Sequence, residues 1–135
     1  MPTIRFKFYF SLFIAFLIIM VNHFAGIYQI YWLLSWFDIP MHIAGGFMVG
    51  LFAQTGLDHL NINKKRNVCT ILFVILVGVV WEFAEWYFGA TSGLGLVSRF
   101  DTIKDIIDDI IGGALSIWFW HFIFNKKNTK IHDKQ

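Results

Sequence analysis

Asp38, Glu82, Glu85, Asp101, Asp105, Asp108 and Asp109 make up most of the chain's nine acidic residues, and each sits in or beside an apolar stretch long enough to cross a bilayer. An ionisable side chain at membrane depth is expensive, and by default it marks a functional site. Four buried carboxylates at ~2.5 kcal/mol or more each would cost ~10 kcal/mol if left unpaired. Arg99 and Lys104 are the only cations nearby in the sequence, too few to neutralise the set. Shared protons, a water-filled cavity or a bound cation are the remaining remedies. An oxygen-rich shell with one imidazole, His42, suits Mg²⁺, Mn²⁺ or Ca²⁺ and, less well, Fe²⁺ or Zn²⁺.

Helical spacing brings these groups together. Asp38 and His42 are four residues apart and share a face, which Gly45, Val49 and Ala53 are read as continuing. Gly78, Glu82, Glu85 and Gly89 form a second stripe, and Asp101, Asp105, Asp108 and Gly112 a third, with Asp109 and Ser116 at its edge. Small residues let helix backbones approach closely in lipid, so the three faces are expected to meet. Glu82 lies ~20 Å along its helix from Cys69 at ~1.5 Å per residue, the same depth at which Asp38 opens one helix and Asp105 another.

The elements that must position them are four apolar runs, about 6–25, 37–56, 69–89 and 104–124, each of the length that a bilayer core demands. A content of 57% apolar and 19% aromatic residues, with a net charge of +2, indicates an integral membrane protein and gives no support to nucleic-acid binding. The expected fold is therefore an all-α membrane four-helix bundle, one domain over 1–135, with an interfacial segment between the first two spans. Arg5 and Lys7, then Lys64, Lys65 and Arg66, then Lys126, Lys127, Lys130 and Lys134 all fall on one side of such a bundle. That side is expected to be cytoplasmic, with both termini on it, and the acidic cluster to face outward. Trp118 and Trp120 are expected at the inner interface, and residues 125–135 as a disordered basic tail. Cys69 stands alone and supports neither an intramolecular disulfide nor a thiolate metal centre.

Blander roles compete for each residue. Asp38 and Asp101 also suit helix N-termini, where a carboxylate satisfies free N–H groups. His42 also suits a role as the hydrogen-bond partner of Asp38 alone, one of Asp108 and Asp109 can face water, and Arg99 can serve topology alone. His121 lies toward the opposite end, and Asp58 and His59 are read as loop residues. Glu82 and Glu85, paired and deep, are hardest to explain structurally. Phosphate-cradling glycine loops, nucleophile elbows and His-Glu-x-x-His are missing from the sequence.

Asp38-Ile-Pro-Met-His42 with Gly46-Phe47, then Glu82-Phe-Ala-Glu85-Trp86, then Asp101-Thr102-x-x-Asp105 with Gly112, resembles the YjdF-like family of small bacterial inner-membrane proteins. The order Arg99, Asp105, Asp109, Gly112 is more distantly similar to the VanZ-like family, with Asp109 where asparagine is usual. The resemblance covers about 36–117 and implies a multi-span bacterial inner-membrane protein. The VanZ-like association with glycopeptide resistance implies work on the envelope or its lipid-linked precursors.

The expected activity is divalent-cation binding at an outward acidic site that engages a lipid headgroup or lipid-linked precursor. As an enzyme it would hydrolyse or transfer a lipid phosphate or ester, with Glu82, Glu85, Asp101, Asp105, Asp108 and Asp109 supplying metal ligands. His42 would be ligand or general base, Asp38 its orienter and Arg99 the phosphate contact. Proton or cation transport, for which an oligomer could complete the pathway, and a non-enzymatic accessory subunit whose acidic faces pair with a basic partner are the alternatives. Transport requires polar groups continuing to the far end, and the three acidic helices are read as nearly free of them there.

Overall fold

The structure is a computed structural model that describes residues 3–88 and 99–124. The side chains of Phe88, Arg99 and Phe100 lie outside the described set, as do Gly89 and the basic tail 125–135. The described residues form helices throughout: α1 (Ile4–Ile27), α2 (Ile30–Leu33), α3 (Asp38–His59), α4 (Arg66–Phe88) and α5 (Arg99–Phe119). A π-helical turn, Trp120–Phe124, extends α5.

Local chemistry sets several boundaries. The Thr3 hydroxyl accepts from the Phe6 amide at 3.3 Å and caps α1. Gln29 takes a left-handed conformation, φ 54°, which breaks the chain between α1 and the one-turn α2. The uncharged aromatic stretch between the first two spans thus becomes the end of α1, this single turn and a short loop. Asp38 and Pro40 occupy the first turn of α3, the one place where a carboxylate meets free amides and a missing N–H does no harm. Asn61 and Lys65, at φ 57° and 60°, turn the chain into α4.

Among the described residues three helical stretches are long and apolar enough to cross a membrane: Ile4–Ile27, Arg66–Tyr87 and Asp101–Phe124. The helix expected as a further span, α3, is not among them. Its lower apolarity has a physical reason, because α3 packs on α1, α4 and, most extensively, α5, and those neighbours cover its small and polar residues.

The packing rests on backbone contact. A Cβ at Gly46 would collide with the Asp109 backbone carbonyl, and one at Gly112 with the Ile43 carbonyl oxygen. One turn on, Gly50 meets Ser116 and Gly113. Residue numbers rise together along both helices, so α3 and α5 run parallel. Gly78 meets Asp109 and Val74 meets Gly113, so α4 is antiparallel to α5. Lys7 with Asp58 and Ser11 with Thr55 make α1 antiparallel to α3.

This register corrects one face. The buried stripe of α3 runs through His42, Gly46, Gly50 and Gln54, not through Gly45, Val49 and Ala53. Both sets satisfy helical periodicity, and the glycines of α5 choose between them.

The molecule is polar inside and apolar outside. Ser11, Gln54, Thr70 and Ser116 are fully buried, while Phe13, Phe16, Ile19, Leu72, Leu76 and Phe83 are exposed. Buried polar groups with apolar side chains outward suit a lipid solvent. Trp118 is exposed as an interfacial residue would be, whereas Trp120 is fully buried against Leu51 and Phe124.

Candidate functional site: an acidic cluster around His42

Asp38, His42, Glu82, Glu85, Asp105, Asp108 and Asp109 gather at one end of the packed helices, His42 in the middle of them. His42 is 7% exposed and reaches carboxylates from three helices. Its Nε2 lies 3.6 Å from Asp38 Oδ1, 3.9 Å from Asp105 Oδ2 and 4.0 Å from Glu82 Oε1. Its Nδ1 lies 3.4 Å from Asp109 Oδ1.

The two ring nitrogens therefore have different surroundings. Nδ1 faces one carboxylate, and Nε2 faces three. A proton on Nδ1 donated to Asp109 leaves the Nε2 lone pair directed at Asp38, Glu82 and Asp105. Metal-bound histidines are commonly oriented in this way. Gly78 has a local role here beyond helix packing, since a Cβ there would collide with the Asp109 carboxylate.

Among the described side chains one lysine or arginine enters the cluster. Lys104 Nζ lies 2.5 Å from Asp105 Oδ1, 3.4 Å from Asp108 Oδ2 and 3.9 Å from Asp38 Oδ2. It neutralises part of the charge and leaves the rest. Among the described residues, Glu82 Oε1 and Asp108 Oδ2 are buried without a hydrogen-bond partner; Lys104 reaches the latter at ion-pair distance without hydrogen-bond geometry. A buried acceptor with no donor is costly, so such an atom calls for an unplaced ligand or water.

Two sets of side chains have ligand atoms within 4.8 Å of one another: Asp38, His42 and Asp105, and His42, Glu82 and Glu85. Both draw on His42, so they read as overlapping halves of one site. Glu85 is half-buried and accepts from Trp81 Nε1 at 2.6 Å, which holds it at the rim. Asp101, expected as a ligand, is exposed near the start of α5 and belongs to neither set. The role expected of Arg99 falls on a side chain outside the described residues.

Sequence reasoning passed over Tyr31. Its hydroxyl donates to Asn22 Oδ1 at 2.5 Å, tying α2 to α1 beside the cluster. Burial, and then the negative charges of Asp38 and Glu85, push its phenol up to about 12. A tyrosine near two acids was detectable only as part of an aromatic loop. A second polar group, at the far end, was also read differently. Asp58 is not a loop residue but lies in the last turn of α3, where Lys7 Nζ at 2.7 Å and Arg66 at 3.0 Å both meet it.

An all-α architecture, apolar outside, with three helices fit to cross a bilayer and an ionisable cluster within, defines a polytopic membrane protein. The chain belongs to the family described as predicted membrane protein (DUF2238), whose model matches residues 2–126. The match includes α1, which sequence motifs identified only as a hydrophobic helix. No curated protein and no solved structure matches the chain. Neither the YjdF-like nor the VanZ-like name comes with the family match.

Proposed function

We propose that the protein binds one divalent cation at its acidic end, within the membrane. His42 Nε2, Asp38, Glu82 and Asp105 are the ligands in this reading, Glu85 and Asp108 supply further oxygens, and Asp109 orients the imidazole through Nδ1. The observation that carries it is Glu82 Oε1, buried, without a hydrogen-bond donor, and 4.0 Å from the nitrogen at the centre of the cluster. A cation relieves several carboxylates at once, which a single lysine does not. The oxygen-rich donor set with one nitrogen favours Mg²⁺, Mn²⁺ or Ca²⁺ over softer ions.

The bound ion would engage a lipid phosphate, from a headgroup or a lipid-linked envelope precursor, in a bacterial inner membrane with the acidic end outward. An apolar groove of about 390 Å³ supports the lipid part, since it is lined by Ile18, Pro40, Ile43, Phe47 and Phe119 and begins two residues from His42. An acyl chain in that groove would place its headgroup at the level of the cluster. Arg99 stands as the phosphate contact on its charge alone, and the metal would neutralise charge during hydrolysis or transfer.

Metal analysis of detergent-purified protein tests the reading. The wild type should retain stoichiometric cation that Glu82→Gln/Glu85→Gln loses. A wild type that binds none of Mg²⁺, Mn²⁺, Ca²⁺ or Zn²⁺ removes the cation and with it the lipid chemistry.

A further inference from the structure

A second groove, of about 420 Å³, opens between α1 and α3 at the end away from the acidic cluster. Ile4, Arg5 and Phe8 line one wall, and Phe52, Gly56 and His59 the other. Its lining is ordered along the helix axes. α1 begins at Ile4 and α3 ends at His59, and the Lys7–Asp58 contact makes the two helices antiparallel. Arg5 and His59 therefore mark the same end of the groove, its mouth. Phe52 lies a further ~10 Å inward, seven residues at ~1.5 Å each. There its ring meets Phe8 edge-on, with centroids 6.4 Å apart. The groove is thus cationic at its mouth and aromatic within.

The cations at the mouth have no partner in the folded chain. Asp58, the described carboxylate of this end, is taken by Lys7 at 2.7 Å and by Arg66 at 3.0 Å. Among the described residues Arg5 and His59 form no ion pair, and both are exposed. An unpaired guanidinium above an apolar groove, on a protein whose sides meet lipid, is complementary to a phosphate above an acyl chain. Arginine suits that role because its planar fork of donors matches phosphate oxygens.

Gly56 supplies an independent sign that the space is kept open. Glycine weakens a helix interior, and at Gly46 and Gly50 close helix contact explains it, since a Cβ there would collide with α5. At Gly56 a Cβ would meet no atom within 4 Å. Helix packing does not require this glycine. Its missing side chain widens the groove.

We propose that the groove between α1 and α3 holds one anionic phospholipid, with its phosphate on Arg5 and His59 and an acyl chain along Phe8 and Phe52. The site is separate from the groove beside His42 and asks nothing of a cation there.

The full chain in detergent, titrated with phosphatidylglycerol or phosphatidylcholine and followed by native mass spectrometry, tests this. One phosphatidylglycerol should bind per chain, at least about fivefold more tightly than phosphatidylcholine, the factor one basic residue adds at an anionic membrane surface. Arg5→Gln should remove that preference. Gly56→Leu should abolish the one-to-one binding by filling the groove, while melting no lower than wild type because its side chain enters open space. Lys64→Gln/Lys65→Gln removes two exposed cations that do not line the groove, and should leave the preference intact. Equal affinity for the two lipids overturns the site. So does an equal loss in the lysine variant and in Arg5→Gln, which is diffuse charge attraction. Unchanged phosphatidylglycerol binding in Gly56→Leu overturns it as well, since the lipid then lies elsewhere on the protein.

Discussion

The two ends of the packed helices treat buried charge in opposite ways. At one end Asp58 meets Lys7 and Arg66 at hydrogen-bond distance, and Trp120 covers the cations with its ring. At the other end Asp38, Glu82, Asp105 and Asp109 surround one imidazole, and among the described residues a single lysine lies nearby and two carboxylate oxygens have no donor. The first arrangement closes within the chain. The second closes only with something added. Both use the same device, a polar face on helices whose other faces are apolar, so the difference lies in the balance of charges. Stability should therefore depend on the first cluster under all conditions, and on the second only when its ligand is present.

Removing the shared carboxylate breaks that contrast most strongly. Asp58→Ala leaves Lys7 and Arg66 buried and facing one another, at a cost of ~3 kcal/mol, the low end for a broken buried pair because Asp58 keeps some solvent contact. Thermal unfolding in detergent should show a large drop with or without divalent cation. The cation is the next largest effect: at a hundred times its dissociation constant it should stabilise the wild type by ~2.7 kcal/mol through mass action. Glu82→Gln should show none of that gain, and without cation it should melt no lower than wild type because a repulsive charge has gone.

Gly46→Ala should disturb both clusters by forcing α3 away from the Asp109 carbonyl. Overpacking of this kind costs ~1–3 kcal/mol, and the variant should lose cation stabilisation as well as melting temperature. Tyr31 gives the smallest effect. Its folded-state pKa is raised, so the protonated phenol is favoured in the folded chain. That contribution is present below its ordinary value of 10.0 and is lost as pH rises toward about 12. Melting temperature followed across that window should fall more steeply for the wild type than for Tyr31→Phe.

Much of the helical layout was legible because lipid imposes a length. The apolar runs 6–25 and 69–89 became Ile4–Ile27 and Arg66–Phe88, displaced by a few residues at each end. The convergence of Asp38, His42, Glu82 and Asp105 followed from spacings of three and four on three helices. What spacing could not supply was partner choice. Gly45 and Gly46 are adjacent, and only the approach of Gly112 and Asp109 selects the second as the buried contact. Lys7 and Asp58 are 51 residues apart, and nothing local distinguishes a topological lysine from a buried one. For the same reason the burial of Gln54 was missed, and Trp120 was expected at the interface and not in the core. Asp101 shares the α5 stripe by spacing, yet lies a turn too far out and is exposed.

The most direct test of the central claim is pulsed electron paramagnetic resonance of Mn²⁺ added to the purified protein. The account predicts about one bound ion per chain with a single histidine nitrogen coupling, absent in His42→Ala, and binding much weakened in Glu82→Gln. Mn²⁺ that shows no nitrogen coupling, or the same signal in all three proteins, would contradict it.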